Sequence, residues 1–383
     1  MTSKYILCAV LVGLALQPKH AAAQFTCGST GAGGALVVPA GQTVTLDVPN
    51  DGIFHFTTVT VSGALTFNRN QAFNPPVIIL ATGDVVVNAG ATINVNGSAP
   101  TTLNWGAGGP GGFDGGAPGI SGARAGSGHG PGAGLAATAT VIGGNAGYGQ
   151  AGIGTSSTHG VPYGSPLLVP LAGGSGGGGN EGVGGGGGGG AILLCSPSQL
   201  TVDGLIDALG GPRSASLGFN NGNGSGGAVR LLAPAVRGAG QLRVLGGTGW
   251  GGHGRVRIDT IDRSGLAITA NPAAALAVGS LMAVFPSTVP RLDIVRVAGN
   301  DIAVGTPSPL TFTLPLNAPA TQAVTVRATN FTGIVPITVA ITPDSGDRIL
   351  VNADINADVA PAEATVNVDL PQNIAVRVHA WTR

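Results

Sequence analysis

Among the ionisable residues of this chain, Asp203, Asp207, Arg230, Arg243 and Arg257 recur within one run of similar phrases and could meet on adjacent turns of a repeat. Two carboxylates on one face, about 5 to 9.5 Å apart, are what glycoside hydrolysis requires. Asp203 and Asp207 flank Gly204, and the spacing leaves open whether they face one side or serve as turn and surface residues. A calcium site takes six to eight oxygens, and no Asp-rich loop supplies them. His55, His129, His159, His253 and His379 each lack a second His or Cys at zinc-ligand spacing. Residues 184–190 resemble a phosphate loop in glycine content, but a strand follows them where such a loop needs a helix. No catalytic residue, metal or cofactor is therefore expected.

Binding chemistry is easier to place. Trp105, Tyr148, Tyr163 and Trp250 lie beside glycines, where an aromatic ring either stacks on a sugar or packs over bare backbone. Trp105, Tyr163 and Trp250 are the candidates for glycan contact. Asn96, Asn223 and Asn330 match glycosylation sequons.

A basic start at Lys4, an apolar run over residues 6–16 and the triplet Ala21-Ala22-Ala23 form a secretory signal peptide over residues 1–23. The run is too short to span a bilayer, which takes roughly 20 apolar residues. Export to the medium, the cell surface or the periplasm follows. Both lysines, Lys4 and Lys19, fall in the leader, so the rest carries 15 Arg against 17 Asp and Glu, a net charge of −2. That balance excludes nucleic-acid binding by bulk charge, and no later segment is long enough for membrane insertion. Beyond the leader Cys27 and Cys195 remain. In an oxidising compartment they either form a disulfide or Cys195 is a small buried hydrophobe.

The elements that would position these residues are written as a repeat. Residues 77–97, 191–211 and 228–247 each contain an apolar run, a turn, a glycine (Gly90, Gly204, Gly240) and a short alternating strand. A unit this short cannot bury its own apolar face, so copies stack into a solenoid. Five coils align by their second strands, at Leu65 and Phe67, Ile93 and Val95, Ile206 and Ala208, Leu242 and Val244, and Ile268 and Ala270. The alignment places Asp207 beside Arg243 and stacks Arg230 on Arg257, two solvated arginines unless Asp259 lies near. Residues 37–48 read as a capping strand, and residues 273–284 as either a closing strand or a short helix.

Residues 98–190 interrupt the repeat with 36 glycines between 106 and 190. Gly106, Gly109, Gly112 and Gly115, then Gly116, Gly119 and Gly122, fall at the three-residue spacing of polyproline-II helices packed side by side. A packed bundle and a disordered loop both fit, with residues 184–190 read as a flexible return strand. From residue 289 glycine becomes rare and seven strands are expected, over residues 292–297, 310–314, 323–329, 337–341, 349–353, 364–370 and 374–381. Seven alternating strands in this length read as an immunoglobulin-like β-sandwich.

The coil phrases Gly189-Gly-Ala-Ile-Leu-Leu with Asp203-Gly-Leu-Ile-Asp-Ala-Leu-Gly-Gly, and Gly226-Gly-Ala-Val-Arg-Leu-Leu with Gly240-Gln-Leu-Arg-Val-Leu-Gly-Gly, resemble pectate-lyase-like parallel β-helix proteins. They resemble more closely the glycine-rich exported bacterial β-helix proteins that end in an immunoglobulin-like domain. The resemblance implies an all-β fold: a right-handed parallel β-helix with a long Gly-rich insertion, then the sandwich. Lyases of this class would bring polysaccharide cleavage with clustered acidic residues, Ca²⁺ and a basic proton acceptor; the chain departs from that pattern in having no lysine beyond its leader. The expected function is a non-enzymatic structural or adhesive protein that meets a glycan or protein surface or self-associates through its solenoid ends. The alternative is a carbohydrate-active β-helix enzyme.

Overall fold

The computed structural model describes residues 25–382, apart from residue 102 and residues 121–123, 139–140, 155–156, 215–220, 287–288 and 305–309. The expected signal peptide lies outside the described residues.

The repeat folds into coils of three short strands. The first coil is β1 (Leu36–Val38), β2 (Thr43–Asp47) and β3 (Ile53–Phe56), and the second is β4 (Val59–Val61), β5 (Ala64–Asn68) and β6 (Val77–Ala81). The third is β7 (Val85–Val87), β8 (Thr92–Asn94) and β9 (Ala191–Cys195), with the Gly-rich insertion between its last two strands. The fourth is β10 (Gln199–Val202), β11 (Leu205–Asp207) and β12 (Ala228–Leu232), and the fifth is β13 (Ala235–Arg237), β14 (Gln241–Arg243) and β15 (Arg255–Asp259). A last partial coil holds β16 (Thr269–Asn271) and β17 (Leu276–Gly279). Equivalent strands pair in parallel, giving sheet 1 (β1-β4-β7-β10-β13), sheet 2 (β2-β5-β8-β11-β14-β16) and sheet 3 (β3-β6-β9-β12-β15-β17). This stacking is compatible with a parallel β-helix.

Two expectations are corrected here. The unit has three strands rather than two, because the three- and four-residue strands of sheet 1 are separated from their neighbours by turns too short to register as breaks. Residues 37–48 supply strands of the first coil in both sheets 1 and 2 rather than a single cap.

Apolar ladders run up the interior. Leu36, Val59, Val85, Leu200 and Val236 are in register on sheet 1, and Leu65, Ile93, Ile206, Leu242 and Ala270 on sheet 2. The last rung places Ala270, not Ile268, beside Leu242, two residues from the sequence alignment. A slip of two keeps the same face inward, so the pattern alone does not distinguish the registers. Phe54, Ile79, Leu194, Leu231 and Ile258 complete the core from sheet 3.

Sheets 1 and 2 alternate buried with part-exposed residues, whereas β6, β9 and β12 are buried at every position. Strands covered on both faces read as continuous apolar runs. Cys27 and Phe25, then Leu171, then Met282 and Val284 pack over the outer residues Ile78, Leu80, Leu193, Cys195 and Leu232. A disulfide joins Cys27 to Cys195. At the far end, residues 273–275 form a 3-10 turn and β17 adds to sheet 3, so both readings of that segment apply to different parts of it.

The C-terminal region is antiparallel. β18 (Arg291–Val297), β19 (Asn300–Asp301), β20 (Thr321–Thr329) and β23 (Glu363–Asp369) form one sheet, and β21 (Ile334–Pro343), β22 (Ile349–Asn356) and β24 (Val376–Thr382) the other. Their facing apolar residues share a core around Val324, Val326, Ile337, Val339 and Ile341. The strand expected over residues 310–314 does not form. Its alternation is right, but Pro309 and Pro315 bracket it and cannot donate to a ladder; it lies unpaired along the open side of the two sheets.

Candidate functional site

The Gly-rich segments leave the solenoid at one corner. The connections β8 to β9, β11 to β12 and β14 to β15 all run from sheet 2 to sheet 3, and residues 95–98, 209–213, 221–227 and 244–254 join the insertion in a single array. Residues 185–190 are its centre. Gly185 and Gly188 donate to the carbonyls of Gly116 and Phe113, Gly186 and Gly189 to Gly222 and Ser225, and Gly187 and Gly190 to Ser98 and Val95. Their own carbonyls accept from Gly106 and Gly109, from Gly177 and Gly174, and from Gly211 and Ala228. Successive residues thus turn to three different neighbours and every third returns to the same one. That is the three-residue turn of a polyproline-II-type helix, which has no internal hydrogen bonds and must find its partners outside.

This order settles the open alternative in favour of a packed bundle among the described residues, and residues 184–190 are its axis rather than a flexible return. Glycine is required because the backbones touch. A methyl group on Gly178 would overlap the carbonyl of Leu135, one on Gly185 that of Gly177, and one on Gly227 that of Gly190.

Where the array departs from glycine, small polar side chains stitch it. Asn223 donates its backbone N–H and its side-chain amide to Asn145 Oδ1 at 2.9 and 2.8 Å, and its own Oδ1 accepts from Thr248 and from the backbone of Arg213. Asn223 is 1% exposed, so this sequon is occupied by packing. Ser225 Oγ accepts the N–H of Ser175 at 2.8 Å, and Ser175 Oγ that of Gly132.

The three aromatic candidates part company. Trp250 caps the 3-10 turn at residues 247–249 and is 51% exposed, and its carbonyl accepts the N–H of the exposed Ile153 at 2.8 Å. Trp105 is exposed with its backbone against Gly184. Tyr163 instead packs on buried Tyr148, ring centroids 4.6 Å apart, and donates its hydroxyl to the carbonyl of Gly173 at 2.6 Å. Burial pushes both phenols above their ordinary range. Leu135, Ile142 and Val161 are also exposed on the array. Residues 135 and 142 both bond to Thr158, through Leu135 N–H to Thr158 O and Thr158 Oγ1 to Ile142 O.

The ionisable set is tied into structure. Asp207 and Arg243 are register partners on β11 and β14, and form a bidentate ion pair with one bond at 2.6 Å. The hydrogen bonds that Arg243 donates to the Asp207 carboxylate raise the Arg243 pKa. Asp203 Oδ1 accepts the N–H of Ala239 at 3.0 Å. Arg230 and Arg257 are register partners as expected, but the reading of two solvated arginines is overturned. Arg230 is 1% exposed, covered by residues 281–284, and donates to Asp259 Oδ2 at 3.1 Å and to the carbonyl of Ala283 at 2.9 Å. Arg257 reaches Asp259 Oδ1 at 2.8 Å. Asp203 and Asp207 therefore serve different partners. Among the described residues no three His, Cys, Asp or Glu side chains group as metal ligands.

One cluster was not anticipated. Between the array and the β22-β21-β24 sheet, Phe113 meets His379 edge-on at 5.9 Å, and His129 lies 6.5 Å from His379. Arg348 stacks 4.8 Å over the Trp381 ring. The β21–β22 turn fastens this seam, with Ser345 Oγ donating to the Arg124 carbonyl at 2.6 Å and Arg124 pairing with Asp347 at 2.9 Å. His129 and His379 lie 250 residues apart, so no spacing in the sequence links them.

No family model matches the chain, and neither a curated protein nor a solved structure matches it. Among the described residues no helix is long and apolar enough to cross a membrane.

Proposed function

We propose that this is an exported, non-enzymatic structural or adhesive protein, in which a right-handed parallel β-helix carries the glycine array at one corner and an immunoglobulin-like sandwich at its end. The carrying observation is the array itself: a hydrogen-bonded body whose interior is backbone and whose surface exposes Trp105, Leu135, Ile142, Ile153, Val161 and Trp250. A surface fixed this rigidly contacts a partner with little ordering entropy to lose, and side-chain ordering ordinarily costs about 0.5–1.5 kcal/mol per residue. Exposed aromatic and aliphatic residues on a low-charge surface suit glycan rings or another protein. The engagement of Asp203, Asp207 and Asp259 by arginine and main-chain donors supports a structural role for the carboxylates.

The test is a glycan array probed with the purified protein, with mass spectrometry of the glycans after incubation. Binding without cleavage, weakened by Trp250→Ala or Trp105→Ala, is expected. Cleavage products that vanish in Asp203→Asn or Asp207→Asn would replace this reading with a carbohydrate-active enzyme.

A further inference from the structure

The seam between the array and the C-terminal sheets contains buried polar groups that lack partners. On β24 the residues Arg377, His379 and Trp381 alternate toward one face, while Val376, Val378 and Ala380 pack into the sandwich core. Across the ladder they stand opposite Thr342, Ala340 and Thr338 of β21, all of which are buried. This outer face of the sheet meets Phe113 and His129 of the array.

Within that contact Arg348 Nε and Nη2, Thr342 Oγ1, His379 Nδ1 and His129 Nδ1 are all shut off from solvent with no hydrogen-bond partner among the described residues. Buried donors left unmade are expensive, and most are satisfied by protein, water or an ion. No described carboxylate pairs with Arg348. Asp114, the carboxylate on the array side of the seam, is held by Arg69 through both oxygens, and Arg377 approaches its Oδ2 at 3.9 Å.

Arg348 and Arg377 bring the positive charge to this seam, and each histidine is held below its ordinary range, first by burial and then by these cations. A guanidinium offering two adjacent N–H groups with a hydroxyl nearby is a fork for an oxyanion. A groove of about 1070 Å³ at the open side of the sandwich borders the β24 side of this seam, with Phe113, Pro131, Arg377, His379 and Trp381 in its wall.

We propose that this seam binds a small oxyanion, held by the Arg348 Nε–Nη2 edge and the Thr342 hydroxyl, with His379 and His129 beside it. Bound there, the anion bridges the array to the sandwich. Phosphate, sulfate and a carboxylate share the necessary chemistry.

The full-length protein, dialysed into a chloride buffer, is titrated calorimetrically with inorganic phosphate, sulfate and acetate in turn. The expected result is saturable one-to-one binding of at least one of them, and the strongest binder identifies the class. Arg348→Gln should weaken it by about tenfold or more, the loss of a charge-assisted hydrogen bond, and Thr342→Val should weaken it by a smaller factor with the fold intact by circular dichroism. Arg263→Gln, remote on the solenoid, should leave it unchanged. Absence of saturable binding to all three anions, or equal binding by wild type, Arg348→Gln and Thr342→Val, overturns the proposal. If Arg348→Gln does not fold, Thr342→Val alone decides.

Discussion

Cys27 and Cys195 are bonded across 168 residues of sequence, so the start of the described chain is fastened to the outer face of the third coil. Both are buried, and the loop they close contains the whole glycine insertion. In the chain-entropy model a loop of this length is worth about 5 kcal/mol. Cys27→Ser with Cys195→Ser should lower the denaturation midpoint by a corresponding amount, and native protein should resist thiol reductants until denaturant is added. Equal midpoints for oxidised and double-mutant protein would contradict this.

Asp259 is shared by buried Arg230 and part-buried Arg257, which makes its removal costlier than the removal of either partner. Arg230→Met leaves Asp259 and Arg257 balanced, whereas Asp259→Asn leaves two cations in a site covered by residues 281–284. Breaking a buried pair costs about 3–5 kcal/mol. Urea denaturation should place Asp259→Asn below Arg230→Met by a large part of that figure.

The array's tolerance for side chains is set by backbone contact. Gly178→Ala would push a methyl into the Leu135 carbonyl and should destabilise by about 3 kcal/mol or more, the upper range for overpacking. Gly265→Ala meets the Arg237 side chain at 3.1 Å, which can move aside, and should cost little. Thermal midpoints of the two variants measure the contrast.

Acid should loosen the seam. Burial, aided by Arg348 and Arg377, lowers the His379 pKa to about 4, and His129 is lowered in the same direction. The unfolded chain therefore takes up protons first, near pH 6.5. The stability of neutral, buried imidazoles is complete above that pH and lost as pH falls toward about 4, by at most about 1.4 kcal/mol per pH unit for each histidine. Denaturant titrations at stepped pH should show this decline, and His379→Phe should flatten it.

Much of the solenoid was legible because period-two alternation and recurring glycine report coil geometry directly. Ile93, Ile206 and Leu242 align on the pattern alone, and so do Asp207 and Arg243. The strands of sheet 1 escaped because only two to four residues separate them from the strands on either side, so they read as part of a turn or of the strand before. The burial of Arg230 escaped for a different reason: the pattern placed it outward correctly, but the segment that covers it, with Leu281 and Ala283 accepting from its guanidinium, returns from 51 to 53 positions downstream. The array was half visible. Three-residue glycine spacing suggested the helix type, yet residues 221–227 and 244–254 belong to it through hydrogen bonds to segments far away in sequence. Residues 310–314 carry a strand's alternation without a partner strand to receive it.

The claim on which the account rests is that the glycine segments form one ordered body, and hydrogen exchange tests it most directly. Peptides covering residues 174–190 should exchange as slowly as those covering β12, because the amides of residues 185–190 are all bonded to neighbouring segments. Exchange of those peptides at the rate of an unprotected chain, while β12 stays protected, would contradict it.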